Sequence, residues 1–223
     1  MQKFVIIVAG GSGSRMGGKT PKQFLLLGGK PILMRTIEQF FAYDALLNVV
    51  LVLPANALKE WYRLCDKYNF YPAIQTVTGG NTRFQSVRNG LKNIPAKEGL
   101  VAVHDGVRPF VTPAIIAKGY ETAAEKGAAV ACVALKDSLR IVHEDGHSEA
   151  LERAAYRLVQ TPQTFRLDLM RKAFETLEQP SFTDCASVLE HAGTAVTLIE
   201  GSYENLKITT PEDLLWAEAF LQS

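Results

Sequence analysis

Residues 4–9 read Phe-Val-Ile-Ile-Val-Ala, and residues 10–23 follow as Gly-Gly-Ser-Gly-Ser-Arg-Met-Gly-Gly-Lys-Thr-Pro-Lys-Gln. An unbroken apolar run of strand length must be covered on both faces, as a central parallel strand is. It runs directly into a glycine cluster, and α/β sheets bind their ligands just beyond the carboxyl ends of their strands. Small residues there let backbone N–H groups turn inward around an anion. A buried strand feeding a glycine loop already points to a doubly wound α/β protein that handles phosphate.

The flanking segments carry the same rhythm outward. From Pro31 to Tyr43, Ile32, Leu33, Ile37, Phe40 and Phe41 stand at helical spacing, with Pro31 suited to a first turn. Val49 to Leu53 is a second buried strand, closed by Pro54. A helix is predicted over 58–68, a short strand over 74–78 and, after the Gly79-Gly80 break, a helix over 82–91. A strand over 100–104, a helix over 113–126 and a strand over 128–135 complete the series. Such alternation requires parallel strands and right-handed crossovers. The predicted fold is α/β: a Rossmann-like, mostly parallel sheet with helices on both faces.

After Lys136 the rhythm changes. Ser138 to Val142, the turn signal Glu144-Asp145-Gly146-His147, and Glu149 to Val159 predict a hairpin. It is read as an arm at about 138–159, projecting from a single domain that spans 1–223. Helices follow at 167–177 and 184–192, then a strand at 196–200. The last helix opens with Thr210 as N-cap and Pro211 in the first turn.

Composition narrows the function. The 223 residues carry 24 Lys and Arg against 23 Asp and Glu, a net charge of +1. That balance argues against a general binder of nucleic acid or membrane surfaces. Hydrophobic residues make up 47% of the chain, enough for a sizeable core. The three cysteines, Cys65, Cys132 and Cys185, form no CxxC pair, so reduced thiols in a cytoplasmic protein are expected. No apolar run approaches the ~20 residues of a membrane span, and the N-terminus lacks a cleavage signal.

The glycine loop admits competing readings. A dinucleotide fingerprint G-x-G-x-x-G fits Gly11 and Gly13 but meets Met16. A Walker A loop, G-x-x-x-x-G-K-S/T, matches Gly13 to Thr20 letter for letter, so a P-loop NTPase or nucleotide-binding regulatory module stays open. Against it, Pro21 falls where the following helix should start, and Arg15 and Lys22 are left without roles. A nucleotidyl-transfer loop uses both. Attack on an α-phosphorus builds negative charge on the equatorial oxygens and on the departing pyrophosphate, and fixed cations are the protein's main contribution. Arg15 grips phosphate in a planar fork and Lys22 supplies a point charge. Asp105, at the end of the strand over 100–104, suits either a turn cap or a ligand for Mg²⁺, which takes one or two carboxylates plus phosphate.

Taken in order, these segments resemble a known family. Ala9-Gly10-Gly11-x-Gly13-x-Arg15-Met16 followed by Pro21-Lys22-Gln23 is similar to the signature of 2-C-methyl-erythritol 4-phosphate cytidylyltransferases, CTP-dependent enzymes of the non-mevalonate isoprenoid pathway. So are Gly79-Gly80-Asn81-Thr82-Arg83-Phe84-Gln85-Ser86-Val87 and Val103-His104-Asp105-Gly106-Val107-Arg108-Pro109. Thr161-Pro162-Gln163, Thr183-Asp184 and Asn205-Leu206-Lys207 also fall in family order.

The resemblance implies a role for each. Arg15, Lys22, Arg153 and Lys207 would be catalytic. Ala9, Gly10, Gly11, Ser12, Gly13, Gly80, Arg83 and Ser86 would bind the cytosine nucleotide. Arg108, Ser138, Arg153, Thr161, Thr183, Asp184 and Lys207 would bind the acceptor, a polyol or sugar phosphate, with Mg²⁺ on Asp105. It also implies a homodimer in which Arg153 reaches from one arm into the neighbouring site. Ribitol 5-phosphate cytidylyltransferases share the H-D-x-V-R-P segment, so that acceptor stands as the alternative.

Overall fold

The computed structural model describes residues 1–10 and 20–222. Gly11, Ser12, Gly13 and Arg15 therefore lie outside the described residues. The chain enters through β1 (Lys3–Val8), and the hairpin β2 (Leu26–Leu27) and β3 (Lys30–Pro31) leads into α1 (Ile32–Tyr43). Then come β4 (Asn48–Leu53), α2 (Leu58–Tyr68), β5 (Ile74–Thr78), α3 (Arg83–Lys92), β6 (Leu100–Asp105), α4 (Pro113–Lys126) and β7 (Ala128–Ala134). The second half holds β8 (Leu139–Val142), β9 (Ser148–Leu151), β10 (Arg157–Arg166), α5 (Leu167–Ala173), α6 (Cys185–His191), β11 (Thr197–Glu200) and α7 (Pro211–Gln222).

Seven strands form the main sheet in the order β11-β7-β10-β6-β1-β4-β5. The chain winds outward from β1 through β4 to β5, then returns to lay β6 on the other side of β1, with both of these pairings parallel. The order reverses between β1 and β6, and at such a switch point the two following loops diverge and leave a crevice. Val8 stands opposite Asp105 in the register, so Ala9-Gly10 and the Asp105 turn leave the sheet side by side.

Strand alternation supplies two cores. Val5, Ile7 and Leu51 face one way with Phe40 of α1, Trp61 of α2 and Tyr120 of α4. Phe4, Ile6 and Val50 face the other way with Phe84 of α3, Met170 of α5 and Leu189 of α6. Both faces of β1 are thus buried, which is why its sequence is apolar without a break.

Two expectations are corrected. Residues 13–19 of the Walker A reading lie outside the described residues, but the helix that should follow is not at Thr20-Pro21: the chain makes a 3-10 turn over Lys22–Phe24, and the first α-helix among the described residues begins at Ile32. The hairpin is real but smaller than the 138–159 arm. β8 pairs with β9 from Leu139↔Leu151 to Val142↔Ser148, and a 3-10 turn over Arg153–Ala155 follows. Residues 157–159 already belong to β10, the sheet's one antiparallel strand among the described residues, wedged between β6 and β7. Pro162 sits within it. The register shifts between Val159 and Gln163, the kind of irregularity at which a strand tolerates a residue with no N–H.

Candidate active site

The crevice at the switch point opens into two adjoining cavities. Ala9, Gly10, Gly80, Arg83 and Ser86 line the first, with Lys22 on its wall. Local geometry explains each placement. Ala9 continues β1 by donating its N–H to Val52 O at 3.0 Å, while Gln23 Nε2 holds the Ala9 carbonyl at 2.8 Å. Gly79 must lack a side chain, because a Cβ there would meet Ser86 Oγ at 2.9 Å. The freed space lets Ser86 Oγ accept from Gly80 N at 3.1 Å. Thr82 caps α3, its hydroxyl accepting from Gln85 N at 3.1 Å. Backbone from two loops therefore faces one space, flanked by a lysine and an arginine.

Asp105 stands where the two cavities meet and lines both, as do Arg83 and Lys207. Its Oδ2 lies 3.0 Å from Lys207 Nζ and 3.3 Å from Arg108 Nε, and its Oδ1 lies 3.8 Å from Arg83 Nε. Burial alone would push this carboxyl up. The surrounding Arg83, Lys207 and Arg108 charges outweigh that and hold it well below the usual carboxylate range. Arg83 also donates from Nη1 to Cys185 Sγ at 3.3 Å. Burial pushes the Cys185 thiol up, against the pull of that guanidinium. A single anion thus fixes three cations whose remaining capacity faces the cavities, an arrangement that attracts phosphate.

Asp105 fits a one-carboxylate Mg²⁺ site. No group of three His, Cys, Asp or Glu side chains comes together among the described residues. Such an ion would take phosphate oxygens and water as its other ligands. The Arg83 Nε at 3.8 Å is beyond hydrogen-bond range of Oδ1.

The second cavity gathers most of the residues implied for the acceptor. Arg108, Thr161, Thr183, Asp184 and Lys207 all line it. Asp184 caps α6 in a capping box with Ser187. Gln163, buried in β10, donates to Asp184 Oδ2 at 2.7 Å and accepts from Cys185 N at 3.0 Å. Asn205, fully buried, donates to Thr161 O at 2.8 Å, and its own carbonyl accepts from Arg108 Nη1 at 2.7 Å. Neither Gln163 nor Asn205, nor Gln23, was assigned a role from the sequence. Their signal was present, since each lies in a motif beside a residue that was singled out.

Two implied acceptor ligands are not brought in. Ser138 and Arg153 are exposed at the base and end of the hairpin, and Arg153 Nη1 donates to Lys136 O of the same chain. Neither lines the cavity.

A switch-point crevice with the Ala9, Gly10 and Gly80 backbone on one side and a cation-ringed carboxylate on the other suits a nucleotidyltransferase of the α/β class. The chain belongs to the 2-C-methyl-D-erythritol 4-phosphate cytidylyltransferase family, whose model matches residues 3–223. A Phocaeicola vulgatus relative of that name is 48% identical over 221 residues, covering 99% of this chain and 100% of the relative. One from Halalkalibacterium halodurans is 43% identical, covering 99% and 97%. Among solved structures, the Thermus thermophilus cytidylyltransferase superposes with a TM-score of 0.81 at 32% identity over the whole of both chains. The 4-diphosphocytidyl-2C-methyl-D-erythritol synthase of Anaerococcus prevotii gives 0.85 at 28%, covering 100% of this chain and 96% of that one. No helix among the described residues is long and apolar enough to cross a membrane.

Proposed function

We propose that this chain transfers the cytidylyl group of CTP to 2-C-methyl-D-erythritol 4-phosphate, forming 4-diphosphocytidyl-2-C-methyl-D-erythritol and pyrophosphate. The observation that carries it is Asp105 with its ring of cations, standing between two adjoining cavities in a chain that the family model matches over residues 3–223. CTP occupies the first cavity, its base against the Ala9, Gly10 and Gly80 backbone and Ser86. The acceptor lies in the second, its phosphate drawn toward Lys207 and Arg108.

The reaction is an in-line displacement. An oxygen of the acceptor phosphate forms a bond to the α-phosphorus, and the α–β bridging P–O bond breaks, its electron pair leaving with pyrophosphate. The attacking phosphate is already an anion, so no protein nucleophile or strong base is required. Lys22 and Arg15 stabilise the charge that develops on the α-phosphoryl oxygens. Arg83 and Lys207 hold the two substrates in line. Mg²⁺ bound with the triphosphate and held by Asp105 would neutralise charge on the leaving group. A second copy of the chain would complete the acceptor site by reaching in with Ser138 and Arg153.

The test is pyrophosphate release from CTP with methylerythritol, ribitol or erythritol phosphate, with and without chelator. Release that requires methylerythritol phosphate and a divalent metal supports the reading. Preference for ribitol phosphate would reassign the acceptor, and release of orthophosphate from ATP would reassign the class.

A further inference from the structure

One buried amide on the wall of the first cavity is only half engaged. Gln23 is 1% exposed and lines that cavity. It lies in the 3-10 turn Lys22–Phe24, where the chain returns from the glycine loop, and it bonds to Ala9, fourteen residues earlier, where the chain enters it. A carbonyl only accepts, so the atom 2.8 Å from Ala9 O is Nε2. Oε1 is buried and meets no donor among the described residues. A buried acceptor without a donor is costly, and a bound group that donates to it removes the cost. Both ends of the Gln23–Ala9 bond are held from behind. Ala9 N donates to Val52 O at 3.0 Å, and Phe24 N donates to Pro21 O at 2.9 Å. Phe24 is buried and stacks on Trp61, with ring centroids 6.4 Å apart.

We infer that Gln23 sets the choice of cytosine over uracil, an inference that rests on the proposed use of CTP. Cytosine carries an amino donor where uracil carries a carbonyl acceptor. A site that prefers cytosine must hold acceptors at that position, and hold them firmly. Gln23 meets both needs. Its Nε2 occupies one lone pair of the Ala9 carbonyl, fixes its direction and leaves the second lone pair to a ligand. Its Oε1 supplies another acceptor within the same amide. Two acceptors match the two hydrogens of an amino group, whereas a uracil carbonyl would set acceptor against acceptor and satisfy neither. The neighbouring Lys22 lies on the same wall, so one short turn serves both the base and the phosphates.

The test is equilibrium binding of CTP and of UTP, each with Mg²⁺ and without acceptor, so that base choice is read apart from transfer. Gln23→Met keeps the length of the side chain and removes its amide; Gln23→Asn keeps the amide and withdraws it by one methylene. We expect each to lower the preference for CTP over UTP by about tenfold or more, because a site built to pair a polar group discriminates strongly and loses that when its partner goes. Phe24→Leu loosens the same turn from its core side and leaves the amide alone. It should lower stability in urea and keep the preference within about twofold of wild type. On the unaltered protein, a CTP analogue with hydrogen in place of the amino group makes the deletion from the ligand side. It should bind about tenfold or more weakly than CTP to wild type. Gln23 variants that keep the preference would overturn the inference, as would an equal loss in Phe24→Leu or an analogue that binds wild type as tightly as CTP does. A wild type that binds CTP and UTP alike would also overturn it, while pyrophosphate release would still report on the transferase reading by itself.

Discussion

The Asp105 crevice and the β8–β9 hairpin carry similar residue types under opposite physical conditions. In the crevice, Asp105, Arg108, Thr161, Gln163 and Asn205 are all buried, and each is tied to a partner far away in sequence. In the hairpin the polar contacts are local: Arg140 to Ser148, and His143 and His147 to Glu149. Its apolar side chains face outward, with Val142 70% exposed and Leu158, just beyond, 53%. A lone two-stranded hairpin is marginal in water, and exposed apolar surface on an extended element is what an interface leaves when its partner is missing. The crevice's polar groups are held by contacts within one chain, although its acceptor side is proposed to take Ser138 and Arg153 from a second copy. The arm leaves apolar surface uncovered, and Arg153, bonded to the Lys136 carbonyl, sits on that side.

The largest expected effect would break this division if it failed. Lys22→Ala, in the crevice, should cut turnover by two to three orders of magnitude, about 2.7–4 kcal/mol, with CTP binding much less affected. Arg153→Ala should also inactivate, although its side chain lies outside the cavity of its own chain. Mixed under subunit exchange, the two should recover about a quarter of wild-type activity. If the chain works as a two-fold dimer with Arg153 donated across it, half the dimers are then hybrids, and one of their two sites holds both Lys22 and Arg153. A mixture that exchanges subunits yet stays inactive would place Arg153 within its own subunit's site or outside catalysis.

How much of this could be read in the sequence follows the same boundary. The βα half was legible because β1, β4, β6 and β7 are buried on both faces and therefore carry runs of apolar residues, with glycine or proline beside them. The helix over 58–68, the strand over 74–78 and the helix over 113–126 match their observed bounds. β10 was not legible as a central strand. Arg157–Arg166 reads Arg-Leu-Val-Gln-Thr-Pro-Gln-Thr-Phe-Arg, and proline amid glutamines and threonines argues against a central strand. Its polar residues are buried because they form the wall of the site, where Gln160, Thr161 and Gln163 bond to loops rather than pack in a core. Function overrode the pattern there, and for the same reason the strand's start was absorbed into the arm.

Acid should act on the crevice before it acts on the arm's fold. His104 titrates near 4 in the folded chain and near its ordinary 6.5 when unfolded. Between those values the unfolded state binds the extra proton, so stability falls as pH drops. By pH 5 the loss is on the order of 2 kcal/mol, roughly 4–8 °C in Tm for a domain of this size. Asp105, held low, adds its own loss from about pH 5 downward, as the unfolded carboxyl protonates. Thermal scans at pH 7 and pH 5 check this, with His104→Gln as reference, since the exposed His143, His147 and His191 remain in it and cancel. If both proteins lose the same number of degrees, His104 is not the group responsible.

The smallest effect sharpens the comparison most, because it separates folding from assembly. Val142 ends β8 opposite Ser148 and touches little of its own chain. Val142→Ser should leave the stability of the single chain within about 0.5 kcal/mol of wild type, as exposed substitutions do. If a second copy covers the arm, the same change removes a buried valine from that contact. Full burial of such a side chain contributes about 1.5–3 kcal/mol, and each 1.4 kcal/mol is about tenfold in a dissociation constant. The variant should therefore dissociate at least several-fold more readily while its unfolding, measured at a concentration low enough to hold monomers, is unchanged. Sedimentation across a dilution series reads the first quantity and urea unfolding the second. A drop in monomer stability with unaltered dissociation would mean that the hairpin is supported by its own chain after all, and that the exposed face of β8 is solvent-facing in the working protein.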